Sequence, residues 1–247
     1  MDTQVGLVGY FDILGYQNLL EKNEPEDIAK SVVSLFAKID TKVIKDLALR
    51  FSGALSELKT EEVEQVLKES MKWLIFSDTV LLTMPVEDLC SESLLIFLSA
   101  CLQLKIKMFQ AGLPLRGVIT YGKFYVEGTC FAGRTIVEAY QLCNKLDIAA
   151  CIFTKNAQEE VDRTDKDNSK YKLFNNFIYR YLIPTKDGDE YYYTLAAQTY
   201  DINHDRNIRE QVLASCLAHN KNIPTSAQKL VSNTEQWLCF LREKKKS

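Results

Sequence analysis

The chain has 247 residues, 47% of them hydrophobic and 26% charged, a composition that excludes a disordered or fibrous chain and suffices for one large buried core. The charge balance of 30 Lys plus Arg against 33 Asp plus Glu leaves a net charge of −3. That excludes a general positive field for a nucleic-acid backbone or an anionic membrane, and the basic end Arg242, Lys244, Lys245, Lys246 reads as solvated. The 7 cysteines are scattered, odd in number and without a C-x-x-C pair, so they read as reduced, small apolar residues. The first residues lack the basic stretch of a secretory signal, and no apolar run is long enough to cross a bilayer, so a cytoplasmic location is expected.

In chain order, residues 4 to 12 predict a buried strand that ends at Asp12. The pattern turns helical from Leu14 to Glu21, and Pro25, Glu26 and Asp27 open a second helix with apolar positions Ile28, Val32, Leu35, Phe36, Ile39 and Val43. A helix is expected from Glu61 to Met71. Trp73 to Met84 then reads as a hairpin with Ser77 and Asp78 at its turn. A long apolar helix follows over 91 to 109, ended by Gly112 and Pro114. Leu115 to Val126 reads as paired strands broken at Gly122, Arg134 to Lys145 as a helix, and Ala149 to Phe153 as a strand.

Together these elements predict an α+β fold, a ferredoxin-like βαββαβ palm with added helices. Lys155 to Lys170 reads as charged and partly loop, Tyr191 to Leu195 as a strand, and residues 207 to 246 as two helices parted at Pro224. Residues 1–154 are therefore expected to form the palm, and 155–247 a C-terminal extension packed on it. Trp237, Leu238, Phe240 and Leu241 read as the buried face of the last helix, the run Tyr191, Tyr192, Tyr193 as packing residues, and His204 and His219 as surface residues.

Two acids carry the chemical interest. Carboxylates at neighbouring strand ends can hold two divalent ions that polarise phosphoryl oxygens and activate a hydroxyl for in-line attack, and Asp12 and Asp78 are placed for that. Each also has a structural reading: Asp12 as the cap of the helix that follows, Asp78 as a turn residue.

The surrounding residues resemble a family. Tyr10-Phe11-Asp12-Ile13-Leu14-Gly15-Tyr16 is similar to the F-x-D-I-x-G-F opening of class III nucleotidyl cyclase domains, and Ser77-Asp78-Thr79-Val80 to their second acidic hairpin. Arg116-Gly-Val-Ile-Thr-Tyr-Gly122 resembles the family strand R-x-G-I-H-x-G, and Gly133 to Leu142 its G-D-T-V-N-x-A-A-R-L helix; the matches fall in family order across residues 4 to 154. The resemblance implies two Mg²⁺ or Mn²⁺ ions on Asp12, Asp78 and the Ile13 carbonyl, with Phe11, Gly15 and Tyr16 beside the nucleotide. It also implies base-reading positions at Leu74 and Cys130, and a head-to-tail homodimer with the site between two copies.

The pattern is broken where the family helix carries an Asn and, one turn on, an Arg for the transferring phosphoryl group. Val137 and Gln141 stand there, leaving Arg116, Arg134, Lys145 and Asn144 as the polar groups at hand. Leu74 replaces a polar purine reader, and an apolar wall discriminates weakly. The short domain, the F-D-I-L-G-Y opening and the F-S-D hairpin resemble the Pycsar type of bacterial antiphage cyclases. That likeness implies conversion of UTP, or else CTP, to a 3′,5′-cyclic monophosphate that activates a separate effector. Two alternatives stand beside it: a purine cyclase acting on ATP or GTP, and a degenerate domain that only binds nucleotide or a partner.

Overall fold

The computed structural model describes residues 3–52, 59–167, 174, 176–196 and 207–246. His204 lies outside the described residues. The elements in chain order are β1 (Gln4–Ile13), α1 (Tyr16–Lys22), α2 (Pro25–Ile28), a π-helical turn, α3 (Ser34–Phe51), α4 (Thr60–Ser70), β2 (Lys72–Phe76), β3 (Thr79–Pro85) and α5 (Ser91–Gln110). They continue with β4 (Leu115–Glu127), β5 (Cys130–Ala132), α6 (Arg134–Lys145), β6 (Cys151–Phe153), α7 (Lys155–Asp167), β7 (Ile178–Thr185), β8 (Gly188–Leu195), α8 (Ile208–Leu217), a 3₁₀ turn and α9 (Gln228–Lys246).

One sheet organises the molecule, in the order β2-β3-β1-β4-β6-β8-β7, with β5 pairing β4. Its first four members carry the order expected of a βαββαβ palm, with β1 central and antiparallel to both β3 and β4. The sheet then extends through β6, parallel to β4, and the β7–β8 hairpin. The residues after 154 thus supply two strands to the same sheet.

Both faces of the sheet are covered. Leu7, Phe11 and Ile13 of β1 point into a core shared with Phe36, Ile39 and Val43 of α3, Phe97 and Leu98 of α5, and Val161 of α7. Val8 and Tyr10 point the other way, toward Ala139 and Cys143 of α6 and Trp237, Leu238 and Leu241 of α9. This follows from the two-residue period of a strand, and burial on both sides explains why β1 is apolar from Val5 to Phe11. The Trp237 ring is fully buried, as expected for the last helix.

Three expectations are corrected. Leu115 to Glu127 is one continuous strand, not a pair broken at Gly122. A Cβ at Gly122 would stand 2.8 Å from Thr135 Oγ1, so this glycine lets α6 begin tight against β4 and does not end the strand. Lys155 to Asp167 is helix: Ala157, Val161 and Thr164 form a narrow buried stripe, and Thr154 caps it by accepting from the Ala157 N–H at 3.4 Å. His219, expected on the surface, is half-buried and bonds through Nε2 to the Ala111 carbonyl at 2.7 Å. The structure also adds a strand, β7, before the expected β8.

Candidate functional site

Asp12 is the penultimate residue of β1, and the ladder places it opposite Thr79 of β3 on one side and Arg116 of β4 on the other. Asp78 sits in the two-residue turn between β2 and β3, where Ser77 takes a φ of 55°. The Ile13 N–H donates to the Asp78 carbonyl at 2.9 Å, so backbone bonding pins the hairpin tip to the end of β1. Two acids 66 positions apart in the chain are therefore held at one end of the sheet. Gly15, at φ 75°, turns the chain from β1 into α1 in a conformation that a side chain would disfavour.

Asp12 lies on the α6 face of the sheet, following Val8 and Tyr10, and its side chain is only 15% exposed. Burial pushes its carboxyl above the ordinary value, Arg116 opposes that, and the neighbouring Asp78 charge adds to the rise. Beside it, the Tyr10 hydroxyl and Thr79 Oγ1 are hydrogen-bonded at 3.1 Å, and burial pushes the Tyr10 phenol up to about 12.

Arg116 is the organising cation. Its Nε donates to Asp12 Oδ2 at 2.8 Å, its Nη1 to the Leu146 carbonyl at 3.2 Å and its Nη2 to Asn144 Oδ1 at 3.3 Å. One guanidinium thus joins β1, β4 and the C-terminal end of α6. A second cation, Lys186 in the β7–β8 turn, is close enough for its charge to pull the Asp12 carboxyl down. That turn is stitched to α6 by the Lys186 N–H donating to the Lys145 carbonyl at 2.8 Å and by the Lys145–Asp187 ion pair at 2.7 Å.

Lys186 was not among the residues singled out from the sequence. Its signal was the Lys186-Asp187-Gly188 turn, which becomes visible only once Ile178 to Thr185 is read as a strand.

The other expected residues divide. Phe11 is fully buried in the α3–α5 core, its ring against Gly117, where a Cβ would stand 2.4 Å from Phe11 Cδ1. One residue out of phase with Asp12 on the strand, its side chain faces the core on the opposite side of the sheet. Tyr16 packs against that same core. Ile13 also buries its side chain there, leaving only its backbone for a ligand. Leu74 lies on the Asp12 face and packs opposite Leu81, and Cys130 is exposed on β5.

Arg134 stands at the first position of α6 and Asn144 ten residues later, about 15 Å along the helix at ~1.5 Å per residue. Arg134 is therefore not brought to the Asp12 of its own chain. Arg134, Val137, Gln141 and Lys145 instead form an exposed stripe down α6, with Tyr140 at its edge against Tyr10.

The donor set decides what ion could sit here. Among the described residues no group of three or more His, Cys, Asp or Glu side chains is placed to hold a metal. Two carboxylates and a backbone carbonyl are hard oxygen donors, too few for a closed cage but suited to Mg²⁺ or Mn²⁺ that takes its remaining oxygens from a phosphate ligand and water. Near the site, a cavity of about 400 Å³ is lined by Leu14, Gly15, Asn18, Cys216, Pro224 and Leu230, and by neither acid, so it is separate from this chemistry. Among the described residues no helix is long and apolar enough to cross a membrane.

No protein-family model matches the chain, and no curated protein does. Solved structures do resemble it. The catalytic core of a rhodopsin-guanylyl cyclase with converted specificity, in complex with ATPαS, superposes with a TM-score of 0.52 at 12% identity, covering 79% of this chain and 98% of that one. The guanylate cyclase domain from Catenaria anguillulae in complex with GTP gives 0.51 at 12% identity, covering 80% and 99%. A dimeric guanylyl cyclase domain from the aquatic fungus Blastocladiella emersonii gives 0.51 at 10%, covering 79% and 98%. At these identities the likeness is one of fold: the chain has the α+β architecture of nucleotidyl cyclase domains.

Proposed function

We propose that the chain is a nucleotidyl cyclase that closes a pyrimidine nucleoside triphosphate, UTP in preference to CTP, to its 3′,5′-cyclic monophosphate. In that reaction the ribose 3′-oxygen forms a bond to the α-phosphorus, the bond from the α-phosphorus to the bridging oxygen breaks, pyrophosphate leaves and the hydroxyl proton passes to solvent. The observation that carries the reading is the pair Asp12 and Asp78, pinned at one sheet end by the Ile13 N–H bond to the Asp78 carbonyl. The cyclase fold around that pair supports the cyclase part of this reading.

Asp12, Asp78 and the Ile13 carbonyl would hold two divalent ions, Mg²⁺ or Mn²⁺. When bound, such ions supply charge neutralisation and a more acidic 3′-hydroxyl. The chain's own groups do the rest. Arg116 and Lys186 offer positive charge to the triphosphate, and charge placed before the reaction needs no reorganisation during it. The Tyr10–Thr79 pair fixes the wall next to Asp12. Leu74 gives that face an apolar surface, which suits a base read by groups other than a purine-specific carboxylate or lysine.

The stripe Arg134, Val137, Gln141, Lys145 would complete the site across a head-to-tail homodimer, each copy contributing its acids to one site and its α6 face to the other. The Pycsar-like sequence features favour a role in bacterial antiphage signalling, with a separate cyclic-nucleotide-responsive effector downstream in the cytoplasm. The purine reading is favoured by the ligands of the solved relatives and is separated by the same assay. Purified protein is incubated with each of ATP, GTP, UTP and CTP and Mn²⁺, and products are resolved by mass spectrometry. Cyclic UMP as the major product is expected, cyclic AMP or GMP would move the substrate to a purine, and no cyclic product from any of the four would leave a binding domain.

A further inference from the structure

Arg116 has a role before any nucleotide arrives. Its Nε is bonded to Asp12 Oδ2 at 2.8 Å, and both side chains are only 15% exposed, so the contact is well shielded from solvent. The guanidinium is also seated by the Leu146 carbonyl and Asn144 Oδ1, which fix its plane against Asp12. A buried carboxylate beside a second acid needs a counter-charge, and in this structure Arg116 supplies it. A divalent cation at Asp12 competes with Arg116, already bonded to Oδ2, for the charge of one carboxylate, and the fixed positive charge repels it.

We infer that Arg116 is a built-in counter-cation that holds the Asp12 site against free divalent metal and yields it when a triphosphate offers the guanidinium a better anion. This rests on Asp12 and Asp78 being the metal acids. The consequence is an ordered site. Metal alone binds weakly, the triphosphate and its metal bind together, and each strengthens the other by the same factor. The exchange is chemically even, because a guanidinium that leaves a carboxylate finds phosphate oxygens of matching fork geometry.

The test is Mn²⁺ binding to nucleotide-free protein, followed by the electron paramagnetic resonance signal of free Mn²⁺. Arg116→Met removes the charge and keeps the aliphatic stem, and it is expected to bind Mn²⁺ on the order of tenfold more tightly than the wild type. Arg116→Lys keeps the charge and should stay close to the wild type. Damage to the fold lowers metal affinity, and only removal of a competitor raises it, so the sign of the change separates the two. Should Arg116→Met not fold, Asn144→Ala loosens the guanidinium while leaving it in place, and a gain of a few-fold is expected.

Unchanged or weaker Mn²⁺ binding in the neutral variant, or an equal gain in Arg116→Lys, overturns the counter-cation role. Asp12→Asn and Asp78→Asn test the underlying reading separately. If, added to Arg116→Met, they leave its raised Mn²⁺ affinity unchanged, the metal assignment itself falls.

Discussion

The two regions that bear on nucleotide chemistry are built in opposite ways. Around Asp12 the groups are shielded and cross-bonded: Arg116 makes three hydrogen bonds, Ile13 holds the hairpin tip, and the acid is mostly buried. The outer stripe of α6 is the reverse, with Arg134, Val137, Gln141 and Lys145 all exposed and Val137 retaining 51% of its surface. One region is finished within the chain, whereas the other faces outward with an apolar residue and an amide where the resembled family carries polar catalytic groups. A shielded region sets its own geometry, and an open stripe acquires one from what docks on it.

The largest expected effect bears on the finished region. Asp12→Asn keeps the side chain's shape and a hydrogen-bond acceptor for Arg116 but loses the negative charge. Turnover of the preferred triphosphate should fall at least about 10³-fold, with Asp78→Asn close behind. Circular dichroism should show both variants folded. A variant with near wild-type turnover would remove the acids from the chemistry and leave the α6 stripe no partner to complete.

Next in size is a direct test of the division. Val137→Asp places a charge on an exposed position, leaving the fold intact, and should cut turnover by roughly 10²-fold by repelling the triphosphate of a partner copy. Co-expressed with Asp12→Asn, it should restore activity to about a quarter of the wild type, since half the dimers are mixed and each mixed dimer has one intact site out of two. Activity that stays at the level of the single variants would mean that both regions act within one chain.

How much of this was legible from residues alone depends on the range of the signal. The boundaries of α6 were read at Arg134 and Lys145, and the hairpin around Asp78 was placed, because apolar periodicity and turn residues are local. The facing of Phe11 was not legible, because β1 is buried on both sides and an unbroken apolar run carries no parity. β7 was not read as a strand; Pro184, which would remove a ladder bond in a central strand, costs none on an edge strand next to its turn. The Asp12–Arg116 pair spans 104 residues and exists only through strand register, which no local pattern encodes.

Lys186 sharpens the comparison from the other side, because it enters the finished region from the C-terminal hairpin. Lys186→Ala should raise KM for the triphosphate about tenfold and change kcat less, the signature of a charge that binds ground and transition states alike. A fall in kcat with unchanged KM would instead place Lys186 on the developing charge of the reaction.

The last effect concerns stability, not turnover, and has opposite signs in the two regions. Beneath the finished region, Lys105 is fully buried, donating to the Leu115 carbonyl at 3.2 Å and the Ala149 carbonyl at 3.0 Å under the Trp237 ring. Burial lowers its pKa from 10.5 to about 8, so the folded chain holds that proton less tightly than the unfolded chain. Its contribution is therefore fully favourable above 10.5 and is lost as pH falls through about 8. On α6, the hydrogen bond and charge of Asp187 raise the Lys145 pKa, so that group stabilises below its ordinary 10.5 and the gain is lost as pH rises above it.

Denaturant unfolding of the wild type against Lys105→Met, repeated across alkaline pH, should show the wild type gaining ground by up to about 3 kcal/mol as pH rises from about 8 to 10.5. Against Lys145→Ala the drift should be in the other direction and weak, because an exposed pair is screened. A flat Lys105 difference would mean that water reaches the ammonium beneath Leu115, and the floor under Arg116 would then be as open as the outer face of α6.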